Sequence, residues 1–589
     1  MTMIALLQFD PTVGDLAHNA ARLEGLAQLA AEHGAEVGVS TELAVCGYPP
    51  RDLLLEHDFI QRSLAAALGI TSTIPLLVGT PLPAEDQRSL PTNGVVRCGP
   101  EFTSLTGNAQ ARVVAEKQLL PTYDVFDEAR YFSAKNRSGL ARSVGRLNLG
   151  VTVCEDAWQA AGSTPSAYAQ DPIEHLAEWC RQGVSIDATV NLSASPFHTE
   201  KFTTRLHVAR HAASVLNHPF LLANQVGGND DLLFDGRSLV AWPDGRAVVA
   251  PSWCEGVLMV DLNGPEGCRW VPSTAEDALM IGEGTTVTLS ASQTGLETVD
   301  AVDELTDAVV TGLADYCRKS NIGSIVLGLS GGIDSAVAAC VAVAALGPEN
   351  VTGLAMPSRY SSQHSIDDAL STAKALGMAC EVHRIDEMHS SVEASLATVL
   401  ENGHPVAAEN LQARLRAILV MGYANARSSM AISTGNKSEI AQGYCTLYGD
   451  MAGGYAPLGD VYKMDVYAMA HRFNQRAEAL GRPAPVSSST LTKPPSAELA
   501  FDQVDADSLP PYEVLDAVLQ AHIESGMNAD EMMEAGFDEA LVMDVLHRLE
   551  RTEHKRRQMA PSPRVSSRAF GQGWRRPLAS NHDWRGAPR

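Results

Sequence analysis

A glycine-rich turn between two apolar segments is the feature that most restricts how this chain can fold. The stretch SIVLGLSGGIDSAVAAC, residues 324–340, predicts a buried strand, a tight turn and a helix, the order in which α/β proteins build anion sites. Ser330, Gly331 and Gly332 can bring backbone N–H groups close to phosphate oxygens at the start of the helix. A plain tight turn is the alternative that this stretch alone leaves open.

Two further properties of the turn narrow its chemistry. It lacks the lysine that a Walker loop directs at the β and γ phosphates of a nucleotide. It carries Asp334, a carboxylate that repels phosphate but suits Mg²⁺, which is usually bound by one or two carboxylates together with phosphate oxygens. The turn therefore favours a magnesium-bound phosphate group over a Walker-type nucleotide site.

Composition limits the class of protein. The chain has 589 residues, 45% of them hydrophobic and 19% charged, which predicts an ordinary globular protein with two large domains. Its net charge of −26 argues against a general nucleic-acid binder, because a phosphate backbone is held by clustered Lys and Arg. The start MTMIALLQFD reads as a strand rather than a signal peptide, and no span reaches the ~18 apolar residues of a membrane helix. The ten cysteines form no disulfide or zinc pattern, so we expect a cytoplasmic protein without nucleic-acid or membrane partners.

Two α/β domains are predicted along the chain. Residues 1–270 alternate short apolar runs with helical stretches, a pattern typical of a layered α/β domain. Residues 271–295 show no sustained periodicity and are predicted to be a linker, after which a long amphipathic helix opens the second α/β domain, 296–589. The tail from Arg551 to Arg589 carries ten Lys or Arg against two acids. It is either a solvated or packing tail or a clamp on an anionic ligand or another subunit.

The second half carries an ordered set of further motifs, which are ENLQAR, STGNKSE, YGD, VYK, KPPSAEL and EHKRRQ. SGGIDS resembles the pyrophosphate loop of enzymes that cleave ATP between its α and β phosphates to adenylate a substrate. The whole set, over residues 300–575, resembles the NAD synthetase family. The resemblance implies a Rossmann-like parallel-sheet ATP pyrophosphatase domain that amidates deamido-NAD with ammonia and releases AMP and pyrophosphate. The resemblance would also explain why the turn lacks the lysine of a Walker loop, because the turn would hold a leaving pyrophosphate.

The resemblance also implies roles for individual residues. Asp334 and Glu439 would hold Mg²⁺, and Asp450 would lie near the nicotinate end of deamido-NAD. Gln412 and Arg414 would position nucleotide, although a structural ion pair for Arg414 and a turn cap for Asp450 remain alternatives. The implied ATP-binding residues are Gly328, Ser330, Gly331, Gly332, Asp334, Ser335, Thr434 and Lys463. The implied deamido-NAD-binding residues are Arg414, Asn436, Glu439, Asp450 and Lys493.

Three reactive side chains follow apolar runs in the first half. Glu42 ends EVGVSTE, Lys117 follows ARVVAE and Cys154 follows LNLGVTV. Singly, each has an ordinary explanation: an inert buried thiol for the cysteine and a solvated strand end for the other two. Together they have a chemical use. A thiol has a pKa of about 8.5, so a glutamate could take its proton while a lysine favours the thiolate and a developing oxyanion.

These residues, with EKQLLPTYDVFDEARYF and VCEDAW, resemble the nitrilase family of amidases over residues 3–260, in the form of the glutaminase domains fused to NAD synthetase. The resemblance implies an α-β-β-α sandwich in which Glu42 is the general base, Lys117 stabilises the thiolate and the oxyanion, and Cys154 forms a glutamyl thioester. Lys201 and Arg205 are weaker candidates for holding a carboxylate. The implied glutamine-binding residues, for which core or turn positions are the alternative, are Tyr48, Tyr123, Glu128 and Ser193.

The two resemblances together predict the last step of NAD biosynthesis, with ATP as co-substrate and Mg²⁺ as cofactor. Glutamine, ATP and deamido-NAD would be the partners, and a homo-oligomer is expected because the amidase fold commonly pairs its subunits. Two other classes stay open. One is an amidotransferase that aminates another nucleotide or an amino acid, against which ENLQAR and KPPSAEL argue. The other is a non-catalytic scaffold, against which the intact Glu42, Lys117, Cys154, Asp334 and Glu439 argue.

Overall fold

The computed structural model divides into two compact units between Asp300 and Ala301. The described residues are 2–84, 86, 89–100, 112–135, 139–165, 167–274, 284–295, 300–496, 498–501 and 503–580. Within these ranges no helix combines the length and the apolar character needed to cross a lipid bilayer.

The first unit is built on two seven-stranded sheets. Its strands are β1 (Met3–Gln8), β2 (Val37–Val39), β3 (Leu76–Leu82), β4 (Thr92–Cys98), β5 (Val113–Glu116), β6 (Gly139–Val144), β7 (Leu147–Val153), β8 (Ala188–Ser193), β9 (Phe220–Asn224), β10 (Val226–Asn229), β11 (Leu232–Asp235), β12 (Leu239–Ala241), β13 (Ala247–Val249), β14 (Gly256–Asp261), β15 (Arg269–Pro272) and β16 (Val287–Leu289). The first sheet has the order β15-β14-β1-β2-β3-β4-β5 and the second β16-β13-β12-β9-β8-β7-β6. Strands β10 and β11 form a separate hairpin.

The two faces of β1 show how the layers pack. Ile4 and Leu6 pack in a core between the sheets that includes Val190 of β8, whereas Ala5 and Leu7 pack against helices on the outside. Because both faces are buried, β1 is a continuous apolar run rather than an alternating one. The described helices of this unit are α1 (Leu16–Glu32), α2 (His57–Gly69), α3 (Pro172–Arg181) and α4 (Lys201–Leu216). Helices α1 and α2 cover the first sheet and α3 and α4 the second, which confirms the predicted α-β-β-α sandwich.

Part of the predicted linker belongs to this unit. Within 271–295, residues 287–289 form β16, which pairs antiparallel with β13 at the edge of the second sheet. Three residues are too few for an alternating pattern to show in the sequence, so the strand was not anticipated. Residues 275–283 of the same segment lie outside the described ranges.

The second unit contains a parallel sheet with helices around it. Its strands are β17 (Ile325–Gly328), β18 (Val351–Ala355), β19 (Ala379–Val382) and β20 (Met430–Ile432), in the order β19-β18-β17-β20. The described helices are α5 (Ala301–Lys319), α6 (Ile333–Leu346), α7 (Gln363–Leu376), α8 (Asp386–Ser395), α9 (Ala397–Glu401), α10 (Val406–Arg427), α11 (Lys437–Gln442), α12 (Lys463–Ala479), α13 (Ser488–Thr492), α14 (Tyr512–Ile523), α15 (Ala529–Glu534), α16 (Glu539–Arg551) and α17 (Glu553–Arg556). All strand pairs are parallel, which confirms the predicted Rossmann-like sheet. Ligands bind such sheets at the carboxyl ends of the strands, where the glycine-rich turn follows β17.

The described part of the basic tail packs against the end of α11. Lys555 Nζ donates to the carbonyl oxygens of Gly443 and Cys445, both at 2.6 Å, and Arg556 donates to the carbonyl of Ala441 at 3.0 Å. Cations at the carboxyl end of a helix satisfy carbonyls that have no partner inside the helix. Both cations thus make contacts within the second unit, and residues 581–589 lie outside the described ranges.

Candidate active sites

Strand ends assemble the first site. Cys154 directly follows β7, Lys117 directly follows β5, and Glu42 lies three residues beyond β2. Lys117 Nζ lies 2.7 Å from Glu42 Oε1 and 2.8 Å from Glu128 Oε1. Tyr48 donates its hydroxyl to the same Glu128 oxygen at 2.9 Å. All five side chains are buried, so the structure brings the predicted triad and two predicted substrate residues into one enclosed cluster.

The positive charge of Lys117 is stabilised by the two glutamate side chains beside it. Burial opposes its charge, but the carboxylates of Glu128 and Glu42 outweigh that effect and raise the pKa of the ammonium. Burial, more than any neighbouring charge, raises the pKa of Glu128 to about 7, against the opposing effect of Lys117. Lys117 therefore stays a cation between two carboxyl groups at neutral pH.

The thiol of Cys154 is held in its neutral form. Burial is the largest cause, and together with the charge of Glu42 it raises the pKa of the thiol, while Lys117 acts in the opposite direction. Lys117 thus lowers the pKa of the thiol, as expected of a nearby cation, but burial and the charge of Glu42 outweigh that effect. A thiol in this state has to lose its proton before or during any reaction as a nucleophile.

Glu42 is itself tightly oriented. Its Oε1 also accepts a hydrogen bond from Asn93 Nδ2 at 2.7 Å, and its Oε2 accepts one from the backbone N–H of Ala194 at 3.1 Å. Asn93 lies on β4 and Ala194 directly follows β8, so groups from both sheets fix the carboxylate. Asn93 was not predicted, because an asparagine inside a strand gives no signal until its cross-strand neighbours are known.

The remaining candidates of the first site differ in their surroundings. Tyr123 donates its hydroxyl to the carboxylate of Glu155 at 3.0 Å, and Tyr168 donates to the same group at 3.2 Å. Ser193 is fully buried and donates to Asn191 Oδ1 at 2.5 Å, the arrangement expected of a core residue. Glu155 and Tyr168 were not among the predicted residues, although Glu155 directly follows Cys154 in VCEDAW.

The two basic candidates of the first half, Lys201 and Arg205, differ in what their side chains contact. Arg205 is fully buried and pairs with Asp235 at 2.9 Å, so its charge is already matched inside the unit. Lys201 places Nζ 4.3 Å from the centre of the Trp158 ring, four residues after the proposed nucleophile. Of the two, Lys201 has the placement that better fits a role near the site.

The second site is a cavity of about 690 Å³ in the second unit, at the carboxyl ends of β17, β18 and β20. Gly331 has φ +80, and a Cβ there would meet the carbonyl oxygen of Ser365 at 2.1 Å, so only glycine fits. The hydroxyl groups of Ser330 and Ser335 form a hydrogen bond of 3.1 Å across the turn. The predicted residues that line the cavity are Gly328, Ser330, Gly332, Asp334, Ser335, Thr434, Glu439, Asp450, Lys463 and Lys493.

The carboxylates predicted to hold Mg²⁺ meet at one cation. Lys463 Nζ lies 2.6 Å from Asp334 Oδ2 and 3.1 Å from Glu439 Oε1. Asn436 donates to Asp334 Oδ1 at 2.8 Å and caps α11, the helix that carries Glu439. Burial raises the pKa of Glu439 to about 8, against the opposing charge of Lys463. Among the described residues no group of three or more acidic, His or Cys side chains is arranged as a metal site, so phosphate oxygens would have to complete the coordination.

The two residues of α10 that were predicted to contact nucleotide lie outside the lining of the cavity. Arg414 and Gln412 do not line the cavity: Arg414 donates to the carbonyl of Leu447 at 3.3 Å, and Gln412 to that of Leu499 at 2.7 Å. Arg416 lines it instead. Asp450 accepts the backbone N–H of Thr446 at 2.7 Å, so it caps a turn and also lines the cavity. Further basic residues of the lining that were not assigned from the sequence are Arg548 and Lys555.

Known proteins resemble both units. The carbon-nitrogen hydrolase family matches residues 3–267 and the NAD synthase family residues 305–559. The glutamine-dependent NAD(+) synthetase of Synechocystis sp. is 39% identical over 98% of this chain and 99% of its own, and that of Thermotoga maritima is 35% identical over 98% of both. The structure of glutamine-dependent NAD+ synthetase from Acinetobacter baumannii in complex with ADP aligns with a TM-score of 0.70 at 31% identity and covers 98% of each chain. The enzyme from Cytophaga hutchinsonii, at 19% identity and a TM-score of 0.73 over 98% of each chain, shares the fold.

The fold and the two sites define an ATP-dependent carbon–nitrogen ligase in which a nitrilase-like amide hydrolase is joined to a synthase unit. The similarity to the curated relatives extends over the full length of the chain and therefore specifies its family. The chain belongs to the family of glutamine-dependent NAD(+) synthetases.

Proposed function

We propose that the first unit releases ammonia from glutamine and that the second uses it to convert deamido-NAD into NAD, with ATP as co-substrate. The family of the chain and the two matched domains support this reaction. The residue roles that follow are supported by the contacts within each unit.

In the first unit, Cys154 Sγ attacks the side-chain carbonyl carbon of glutamine. Glu42 takes the thiol proton during the attack and delivers it to the amide nitrogen, so the C–N bond breaks, ammonia leaves and a γ-glutamyl thioester remains. Water, activated by the same carboxylate, then hydrolyses the thioester to glutamate and restores the thiol. Lys117 keeps its charge between Glu42 and Glu128 and offsets the negative charge that develops on the carbonyl oxygen.

In the second unit, the nicotinate carboxylate of deamido-NAD must first be activated. A carboxylate is a poor acceptor for ammonia because its charge repels a nucleophile and oxide is a poor leaving group. Transfer of AMP from ATP releases pyrophosphate and leaves a carbonyl that ammonia can attack, with AMP departing. The turn at Ser330, Gly331 and Gly332 lies at the start of α6, where the helix dipole favours an anion, so it is suited to hold the pyrophosphate. Lys463 and Lys493 line the same cavity and supply positive charge.

Asp334 and Glu439 are the residues that would hold Mg²⁺. The structure supports the fit because both carboxylates converge on one cation, Lys463 Nζ, within 3.1 Å. Two carboxylates plus phosphate oxygens are a usual ligand set for this ion. When bound, Mg²⁺ would neutralise charge on the pyrophosphate.

A single observation carries the proposal: Lys117 is fully buried between Glu42 and Glu128 beside a cysteine at a strand end. The test supplies deamido-NAD, ATP and Mg²⁺ with either glutamine or ammonium and measures NAD, AMP and pyrophosphate. We expect one AMP and one pyrophosphate for each NAD from either nitrogen donor. ADP and orthophosphate would contradict the role of SGGIDS, and amination of another substrate in place of deamido-NAD would favour a different amidotransferase.

We also propose that the enzyme acts in the cytoplasm as a homo-oligomer. The lack of a disulfide pattern among the ten cysteines supports the first statement, and the resemblance to the amidase fold supports the second. The molecular mass of the purified protein in solution, measured by sedimentation equilibrium, tests the second, and a mass equal to that of one chain would contradict it.

A further inference from the structure

Asp156 lies two residues after Cys154 and has no part in the reaction described above. Its carboxylate is buried, with 1% of the residue exposed, and accepts three backbone hydrogen bonds. Oδ1 accepts the N–H groups of Gln118 and Leu119, both at 2.9 Å. Oδ2 accepts the N–H of Val153 at 3.1 Å.

The donors adjoin two proposed catalytic residues. Gln118 and Leu119 directly follow Lys117, and Val153 directly precedes Cys154. Strand β5, which ends at Lys117, belongs to the first sheet, and β7, which ends at Cys154, belongs to the second. Asp156 therefore ties the two sheets together at the point where each supplies a reactive group. No ladder hydrogen bonds connect β5 and β7, since each pairs only within its own sheet.

The backbone of Cys154 needs such support. Its φ is +44, in the left-handed region that residues with a side chain seldom adopt unless the surroundings impose it. The short 3₁₀ turn Cys154–Ala157 contains both the nucleophile and Asp156. Asn191 donates to the carbonyl of Cys154 at 3.2 Å from one side, while Asp156 holds the preceding N–H from the other.

We infer that Asp156 is a positioning residue for glutamine hydrolysis, which fixes the thiol of Cys154 relative to the ammonium of Lys117. The inference rests on the proposed roles of those two residues. A misplacement of about 1 Å between reacting groups lowers turnover by ~10²-fold without requiring weaker substrate binding. A buried acid with only a structural role would instead change the amount of folded protein and leave the turnover of each folded chain intact.

The test replaces Asp156 by Asn in the full chain. Both oxygens of the Asp156 carboxylate accept backbone N–H groups. An asparagine has only one side-chain oxygen, so its NH₂ group must face at least one of these N–H donors and that hydrogen bond is lost. We expect kcat for glutamine hydrolysis, normalised to folded chain, to fall by about 10²-fold, with KM within about threefold of the parent. Asp171→Ala is the control, because it removes two backbone hydrogen bonds, those that Asp171 accepts from Ile173 and Glu174, at a residue that adjoins no proposed catalytic residue. It should keep the parental kcat.

Several results would overturn the inference: a parental kcat in Asp156→Asn, an equal loss in Asp171→Ala, or a loss fully explained by a smaller folded fraction. If Asp156→Asn does not fold, Asp156→Glu decides, since it keeps the charge and moves the acceptor by one methylene group. A lower kcat at parental KM in that variant supports positioning, whereas parental kcat, or failure of both variants to fold, contradicts it. Cys154→Ala distinguishes a failure of this inference from a failure of the proposed function. If that variant still hydrolyses glutamine, the proposed function itself is wrong.

Discussion

Lys463 and Asp334 stand 129 positions apart in the chain and form an ion pair in which Nζ lies 2.6 Å from Oδ2. Asp334 belongs to the first turn of α6 and Lys463 opens α12, so the fold brings two helix starts together at the carboxyl edge of the parallel sheet. The same ammonium reaches Glu439 at 3.1 Å. This contact defines the charged centre of the second site.

Removal of either carboxylate should stop synthesis from both nitrogen donors. Asp334→Asn or Glu439→Gln leaves one carboxylate for Mg²⁺ and leaves Lys463 less compensated, so adenylation of deamido-NAD should be lost. Glutamine hydrolysis, which belongs to the first unit, should remain measurable. Asp367→Asn is the control, because Asp367 is an exposed acid on α7 whose carboxylate accepts a hydrogen bond from Gln363 at 2.9 Å. Normal NAD formation in both site variants would place the metal elsewhere.

Loss of the nucleophile should separate the two nitrogen sources. Cys154→Ala should abolish glutamine-dependent synthesis, because a missing nucleophile can cost ~10⁶-fold where no substitute exists. Ammonium-dependent synthesis should persist, since free ammonia bypasses the thioester. Cys98→Ala removes another buried thiol of the same unit, at the end of β4, and should preserve both activities. Use of glutamine by Cys154→Ala near the parental rate would exclude the triad.

The glycine-rich turn should not tolerate a methyl group at Gly331. Its φ of +80 disfavours any side chain, and a Cβ would meet the carbonyl oxygen of Ser365 at 2.1 Å. Gly331→Ala should therefore distort the turn at a cost of about 1–3 kcal/mol and strongly reduce ammonium-dependent synthesis. Gly323→Ala, just before β17, meets no atom within 4 Å and should behave as the parent. Equal KM values for ATP and equal rates in the two variants would show that the turn is not an ATP site.

Glu128 should make the stability of the first unit depend on pH. Burial raises its pKa to about 7 in the folded chain, above the ordinary value of 4.5. A carboxyl with a raised folded pKa contributes stability that is fully present below the unfolded pKa and is lost as pH rises through the folded value. Between those two values the slope approaches about 1.4 kcal/mol per pH unit.

The measurement compares parent and Glu128→Gln by thermal unfolding at pH 5, 6, 7 and 8. The parent should lose stability relative to the variant from pH 5 to 7, and the difference should then stay constant. Parallel unfolding temperatures across the whole range would contradict the raised pKa of Glu128.

Lys437 should be a major contributor to the stability of the second unit. It is fully buried, lies 2.9 Å from Asp460 Oδ1 and donates to Ser566 Oγ at 2.6 Å. Lys437→Met leaves the Asp460 carboxylate buried without its cation, which typically costs about 3–5 kcal/mol. Arg384→Ala breaks an exposed pair with Asp386 and should cost only about 0–1 kcal/mol. Unfolding in denaturant measures both, and similar midpoints for the two variants would contradict the expected difference.

Local patterns were sufficient for the strand, turn and helix around SGGIDS. The run at 324–340 is β17, the turn and α6, because an apolar run ended by glycines specifies a strand and turn without help from distant residues. Cys154 and Lys117 each directly follow a strand, as their apolar runs indicated, but their proposed roles came from the resemblance to the nitrilase family. The two fold classes were also predicted correctly. The roles of the individual site residues stay predictions.

Tertiary packing decided which face of each element meets a site. Arg414 and Arg416 lie two positions apart on α10, and residues at that spacing point to different sides of a helix. Only the docking of α10 determines that Arg416 lines the cavity. The high pKa of the Cys154 thiol likewise arises from burial between two sheets, which no local pattern reports.

The chain's own sequence thus determined the strand, turn and helix at 324–340 and the chemical types of its reactive groups, because these follow from short-range patterns. Its motifs indicated the two fold classes through the family resemblances. Only the tertiary structure decided the tie from Asp156 to the residues beside Lys117 and Cys154 and the pairing of Lys463 with Asp334. Both depend on contacts between segments far apart in the chain, and their free energy comes from burial that exists only once the layers have packed.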